Sequence, residues 1–218
     1  MKVRYIKNRD WDEIVELERQ TYLSALSENR TALMSKNSAS PSTCFVLEVE
    51  GQVVGYLLSL PYPRFEYPHL AQAESMVYRS RNLHVHDLVI AEPYRGQGFA
   101  RRLLDQLMLA AEREGYQWLS LVAVSGSRFF WKIQGYDFYP EIVLPKSYGE
   151  GAVYMSRTMP VKTSSFQRSI SFSQVRRAVI NIKLTRRVSL KDFTYVRLPS
   201  QPVNLWPRDI FKVLMAHF

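Results

Sequence analysis

Hydrophobic and polar positions change period along the chain in an order that predicts strands and helices by turns. KVRYIKN alternates with period two, Val3 and Tyr5 on one side with Lys7 next in line, and reads as a short strand. Asp10 can then cap a helix whose apolar positions Trp11, Ile14, Val15 and Leu17 recur at helical spacing. A second helix is expected over Tyr22–Met34, ending in the polar loop SKNSASPS. CFVLEVE and VVGYLLSL flank a Glu50-Gly51 turn and predict a β-hairpin. The next stretch, PYPRFEYPHLAQ, is too rich in proline to be regular throughout, and NLHVHDLVIAE is a strand that Pro93 stops.

Residues 100–114 place Ala100, Leu103, Leu104, Leu107, Met108 and Ala111 on one helical face, with Gly115 as the C-terminal stop. WLSLVAV is a fully apolar strand, SRFFWKIQ a short helix stopped by Gly135, and GYDFYPE and EGAVYMSRTM are closing strands. The order is β-α-α-β-β-β-α-β-α-β-β, an α/β or α+β domain over residues 1–158, with no internal repeat.

Charge then separates the chain into two parts. The net charge of +9 arises entirely after residue 158: residues 1–158 carry 18 basic and 18 acidic side chains, residues 159–218 carry 11 and 2. A polyanion is therefore no guide to the function of the main domain. Arginines 168, 176, 177, 186, 187 and 197 lie among aromatic residues and raise a contact with RNA, DNA or an anionic membrane. A peripheral packing extension of unknown structure is the favoured reading of residues 159–218. No apolar run is long enough to span a membrane, and the first residues contain no apolar signal core. With Cys44 the only cysteine, an internal disulfide is impossible, and a reducing, cytoplasmic setting is expected.

The candidate chemistry sits where the strand ending at Pro93 becomes Arg-Gly-Gln-Gly and restarts at once as a helix. A helix N-terminus presents unpaired N–H groups and a partial positive charge, and glycine lets a phosphate oxygen approach the main chain. Gly96 and Gly98 supply that access, and Arg95 can add a charge-assisted bond. Three phosphate cradles compete. A Walker A loop needs a Gly-Lys-Ser/Thr ending that does not occur. A dinucleotide fingerprint starting at Gly96 meets Arg101 at its third glycine and lacks the acidic residue about 20 positions on. Arg/Gln-x-x-Gly-x-Gly/Ala is matched in full by Arg95, Gly98 and Ala100.

DLVIAEPYRGQGFARRLL followed by LVAVSGSRFFWKIQGYDF resembles the GCN5-related N-acetyltransferase (GNAT) superfamily, over roughly residues 2–158. The resemblance implies a mixed, mostly antiparallel central sheet of six to seven strands flanked by about four helices. It implies acetyl-CoA as co-substrate, no metal, and transfer of an acetyl group to a primary amine by direct attack in a ternary complex. The loop amides of Arg95, Gly96, Gln97, Gly98, Phe99 and Ala100 would bind the pyrophosphate, and the main chain of Leu88, Val89 and Ile90 the pantetheine arm. The next strand, around Leu121 to Val124, would splay away to leave a slot for the thioester. Ser125 or Ser127 would stand in for the asparagine that family members often have after that strand, or would only cap the next helix.

The family's base, often Glu, lies on the strand before the loop, which here carries His84, His86 and Asp87. Period-two geometry puts His84 and His86 on one face and Asp87 on the other, with His84 nearest the usual position of the base and His86 second. Histidine suits proton abstraction near neutrality. The family's frequent acidic tyrosine falls on Trp131, which has no titratable proton, so Tyr136 and Tyr139 are nearby candidates for that role, or water protonates the thiolate. Tyr62, Phe65 and Tyr67 with Glu66 form an aromatic box for a cationic amine, or a solvated flap. The expected partner is a small-molecule or peptide amine, with a homodimer compatible and no membrane. The competing reading is a non-catalytic acyl-CoA-binding module whose basic tail contacts nucleic acid.

Overall fold

The computed structural model describes residues 1–22, 26–70, 72–124 and 126–160. Expectations for Ser125 and for the tail from residue 161 onward lie outside the described residues. In chain order the elements are β1 (Lys2–Tyr5), α1 (Trp11–Thr21), α2 (Arg30–Ala39), β2 (Phe45–Val49), β3 (Gln52–Pro61), β4 (Asn82–Ile90), α3 (Phe99–Glu114), β5 (Trp118–Ala123), α4 (Arg128–Ile133), β6 (Asp137–Tyr139) and β7 (Val153–Thr158). This is the expected order, and the mixed, mostly antiparallel sheet has seven strands.

The strands lie in the order β1-β2-β3-β4-β5-β7-β6. All neighbours are antiparallel except β4 and β5. Those two are joined through α3, the crossover that a parallel pair requires. Gly98 precedes α3 and Gly115 ends it, both in the left-handed conformation, so the long helix starts and stops where the sequence predicts. Among the described residues no helix is long and apolar enough to cross a membrane.

Strand alternation divides the core between the two faces of the sheet. On one face Leu103, Leu104, Leu107 and Ala111 of α3 pack on Leu47, Leu83, Val85, Leu119, Leu121 and Met155. On the other, Trp11, Ile14 and Leu17 of α1 and Leu33 of α2 pack on Val46, Tyr56, Leu58 and Val89. Each fully buried leucine contributes about 2 kcal/mol relative to exposure, so α3 is anchored mainly by its apolar stripe.

The second helix departs from expectation. It runs over Arg30–Ala39 rather than Tyr22–Met34, because Asn29 caps it by accepting from the Ala32 amide at 2.9 Å. Its polar end is still helical. Ser35 and Ser38 turn their hydroxyls back onto the carbonyls of Ala32 (2.6 Å) and Met34 (2.9 Å), which lets serines sit inside a helix.

The feature that positions the site lies in β4. Leu58 pairs with Asp87, but the next residue of β3, Ser59, pairs with Val85, so His86 is an extra residue with no partner in β3. Such a bulge disrupts the ladder locally and breaks strict alternation.

Candidate active site

The loop after β4 keeps its main chain open. Gly96 has φ +74° and Gly98 φ +78°, and a side chain built at either would meet nothing within 4 Å. The glycines thus answer to backbone conformation, and space remains for a ligand to reach the amides. Among the described residues the amides of Gly96, Gln97 and Gly98 carry no hydrogen bond, and the first turn of α3 adds unpaired donors. Arg95 braces this loop: its amide donates to the Glu92 carbonyl at 3.1 Å and its Nε to the Ile90 carbonyl at 2.9 Å. Only the rest of its guanidinium is left for an anion.

Beside the loop, β4 and β5 form a fork. Their pairing ends at Val85–Leu121, although β4 continues to Ile90 and β5 to Ala123, where β5 pairs only with β7. Residues 86–90 therefore have main-chain groups with no partner in β5. A cavity of about 100 Å³ occupies the fork. Val85, His86, Asp87 and Leu88 line it from β4, Leu121 and Val122 from β5, and Val124, Ser127 and Trp131 from the start of α4. Glu18, Tyr22 and Glu28 line it from the α1 side.

The polar end of this cavity is a hydrogen-bonded cluster. His86 Nε2 lies 2.7 Å from Glu28 Oε1, with the histidine side chain only 4% exposed. The Glu28 amide donates to Glu18 Oε1 at 2.8 Å, and Tyr56 Oη lies 2.5 Å from both Glu18 Oε2 and Asp87 Oδ2. Tyr22 donates to Asp87 Oδ1 at 2.6 Å. Burial pushes the Glu18 carboxyl well above the ordinary range, and the charge on Asp87 pushes it further. Burial also raises Asp87, opposed by the donors Tyr22 and Tyr56. The two carboxyls hold a proton between them that solvated carboxyls would release.

The bulge corrects one expectation. Asp87 does not point away from the histidines; it shares the α1-side cluster with His86, because the extra residue resets the alternation. It also separates the two histidines. His84 does not line the cavity: its ring is buried, with Nδ1 3.0 Å from Ser120 Oγ and ring contacts to Tyr62 and Tyr154. Burial, with His86 nearby, holds the His84 imidazole well below its usual pKa.

Tyr136 is not brought to the cavity either. Its ring is in the α3-side core against Trp131, its hydroxyl is buried with no hydrogen-bond partner among the described residues, and burial pushes its pKa upward. Trp131 does line the cavity, as an apolar wall. Ser127 lines it while its hydroxyl caps the turn before α4, donating to the Val124 carbonyl at 2.7 Å.

Among the described residues, the contacts of Tyr62, Phe65 and Tyr67 lead to different neighbours rather than to one another. Tyr62 is buried against Tyr78 and His84, Phe65 lies near Tyr139 and Tyr154, and Tyr67 packs edge-on to Tyr148 while donating to the Val143 carbonyl. Glu66 is exposed. Tyr148, the partner of Tyr67, reaches the cavity, whereas Tyr62, Phe65, Glu66 and Tyr67 do not line it. Glu18, Tyr22, Glu28 and Tyr56 were not singled out by sequence reasoning. A buried glutamate on the apolar stripe of α1, one residue after Leu17, was the available signal for Glu18.

The family model described as "Acetyltransferase (GNAT) family" matches residues 11–136. No curated protein matches significantly. Among solved structures, the loading GNAT-like domain of CurA from Lyngbya majuscula superposes with a TM-score of 0.62 at 16% identity, over 72% of this chain and 97% of that one. Ard1 from Thermoplasma volcanium gives 0.58 at 17% identity, over 73% and 98%. The diaminobutyrate acetyltransferase EctA from Paenibacillus lautus, solved with L-2,4-diaminobutyric acid and coenzyme A, gives 0.52 at 18% identity, over 75% and 98%.

Proposed function

The chain belongs to the acetyltransferase (GNAT) family, and we propose that it transfers an acetyl group from acetyl-CoA to a primary amine, by direct attack while both substrates are bound. The observation that carries this reading is the fork. An open amide loop leads into a gap between two strands, and that gap ends at a histidine. A helix-start loop for a diphosphate, unpaired strand main chain for an amide-bearing arm and a base at the far end fit acyl-CoA and an amine in sequence.

Acetyl-CoA, when bound, supplies an acyl group activated as a thioester. The amides of Gly96, Gln97, Gly98, Phe99 and Ala100 hold its diphosphate, and the main chain of Leu88, Val89 and Ile90 pairs with its pantetheine arm. Leu121, Val122 and Trp131 keep water from the thioester, with Ser127 closing the turn beside them.

An ammonium has no lone pair, so the acceptor must lose a proton before attack. His86 is the base in this reading. Donation of its Nε2–H to Glu28 leaves the lone pair on Nδ1, as a carboxylate orients a catalytic imidazole elsewhere. His84, buried on Ser120, supports the strand below it. With Trp131 at the usual tyrosine position and Tyr136 in the core, the leaving thiolate takes its proton from water. A cytoplasmic setting accords with one buried thiol, Cys44.

Calorimetry with acetyl-CoA, CoA and NAD side by side tests the cradle, and free-thiol release from acetyl-CoA with a panel of amines tests the transfer. Binding of both CoA species but not NAD, with amine-dependent thiol release, is expected. Absence of CoA binding overturns the cradle; binding without release against every amine favours the non-catalytic module.

A further inference from the structure

Every hydroxyl that lines the cavity among the described residues is already committed. Tyr22 donates to Asp87 Oδ1 at 2.6 Å, Tyr148 to the Pro68 carbonyl at 2.5 Å, and Ser127 to the Val124 carbonyl at 2.7 Å. Carboxyls, by contrast, are plentiful. Glu18, Glu28 and Asp87 line the cavity, and among the described lining residues there is no lysine or arginine. One ammonium is near. Lys36, on α2, does not line the cavity; it is 0% exposed, with Nζ 3.7 Å from Glu28 Oε2 and 3.2 Å from Glu74 Oε1, so its charge is spent on two carboxyls. The other side-chain N–H donors of the lining are His86, whose Nε2 faces Glu28, and the indole of Trp131 on α4.

We propose that the acceptor is a primary amine with no carboxylate on its amine-bearing carbon, and that the site rejects free α-amino acids by charge. This rests on the reading of the cavity as the place where acyl-CoA and amine meet. At about 100 Å³ the cavity is far below the roughly 300–1,000 Å³ of pockets that enclose a whole small ligand. Only the reacting ends of two substrates fit, so any group on the amine-bearing carbon sits against the carboxyls.

An arriving ammonium finds acceptors there. A carboxylate beside it finds like charge and no uncommitted hydroxyl to replace the water it gives up. Burying a charge without a partner is costly, and bringing like charges together adds to that cost. Conversion of the carboxylate to an amide removes the penalty at nearly unchanged size. Leu26 and Leu70, also in the lining, offer apolar contact to a hydrocarbon stem.

The test compares three amines of one skeleton: butylamine, norvaline and norvalinamide. Norvaline is butylamine with a carboxylate on the amine-bearing carbon, and norvalinamide carries an uncharged amide there instead. Calorimetry on the full chain with CoA present measures the binding of each. Butylamine and norvalinamide should bind, and norvaline should bind at least about 100-fold more weakly than either. Comparable binding of norvaline overturns the proposal. So does norvalinamide as weak as norvaline, which would mean exclusion by bulk, and so does binding by none of the three. Asp87→Asn removes one charge from the lining and should bring norvaline to within about tenfold of norvalinamide; an unchanged ratio in the folded variant overturns exclusion by charge. Should that variant fail to fold, Glu28→Gln gives the same comparison. Because calorimetry needs no transfer, absence of thiol release from acetyl-CoA with every amine would overturn the acetyltransferase reading alone. Thiol release with norvaline equal to that with butylamine would overturn this proposal alone.

Discussion

Glu18 and Asp87 both reach one phenol oxygen, each lying 2.5 Å from Tyr56 Oη. A phenol has one proton to donate. A second contact of that length needs its own proton, which a neutral carboxyl supplies. With Tyr22 also donating to Asp87, the extra proton falls on Glu18.

This arrangement makes stability depend on pH in a defined direction. Glu18 is raised above the 4.5 of a solvated glutamate, so the folded chain holds a proton that the unfolded chain releases. The associated stability is fully present below 4.5 and is lost progressively as pH rises from there through neutrality. Glu18→Gln keeps the shape and removes the titration. Urea unfolding at a series of pH values should show the variant gaining on the parent across that window, and parallel curves would contradict the shared proton.

His84 acts in the opposite sense. Its buried ring is held well below 6.5, so its contribution is present above 6.5 and is lost as pH falls through the lowered folded value. Its imidazole carbon shifts should stay those of the neutral ring at pH values where a solvated histidine is already charged. A midpoint near 6.5 would show that the ring is not enclosed.

His86→Gln should lower kcat/KM by about 10²–10⁴-fold, the usual value of a positioned base, and should abolish the acid limb of its pH profile. His84→Gln should retain that limb, because its ring is bonded to Ser120 and does not line the cavity. Loss of the limb in the His84 variant alone would return the role of base to His84.

Gly98→Ala introduces a side chain at φ +78°, which costs about 1–2 kcal/mol for an L-residue, although no neighbour lies within 4 Å. Acyl-CoA binding should weaken about tenfold or more, as the loop relaxes away from the left-handed conformation. Calorimetry checks this, with thermal melting run beside it to measure the part lost to folding. Equal affinity in variant and parent would show that the diphosphate is held elsewhere.

Much of the scaffold is legible in the sequence because strong local signals agree with the tertiary packing. The stripe from Leu103 to Ala111, the stops at Pro93 and Gly115, and the Glu50-Gly51 turn each have a mechanism that acts within a few residues. The amide loop is legible for the same reason. The polar cluster is not. Glu18, Glu28 and Lys36 look like ordinary solvated charges in sequence, and only the packing of α1 on β3 and β4 and of α2 on β3 buries them together. The bulge at His86 leaves no composition mark, so counting by twos assigns Asp87 to the wrong side. The cap at Asn29 competes with an apolar pattern that suggests an earlier helix start, and the cap prevails.

The unmatched residue of β4 has one more implication. Asp87 opposite Leu58 and Val85 opposite Ser59 would be consecutive rungs of a regular ladder if His86 were simply absent. Excising it would leave every β3 partner in place, with Leu83 and Val85 still on the α3 side of the sheet. The sheet and the proposed base can therefore be separated at a single codon: a chain one residue shorter should keep its strands in register and lose the imidazole at this place.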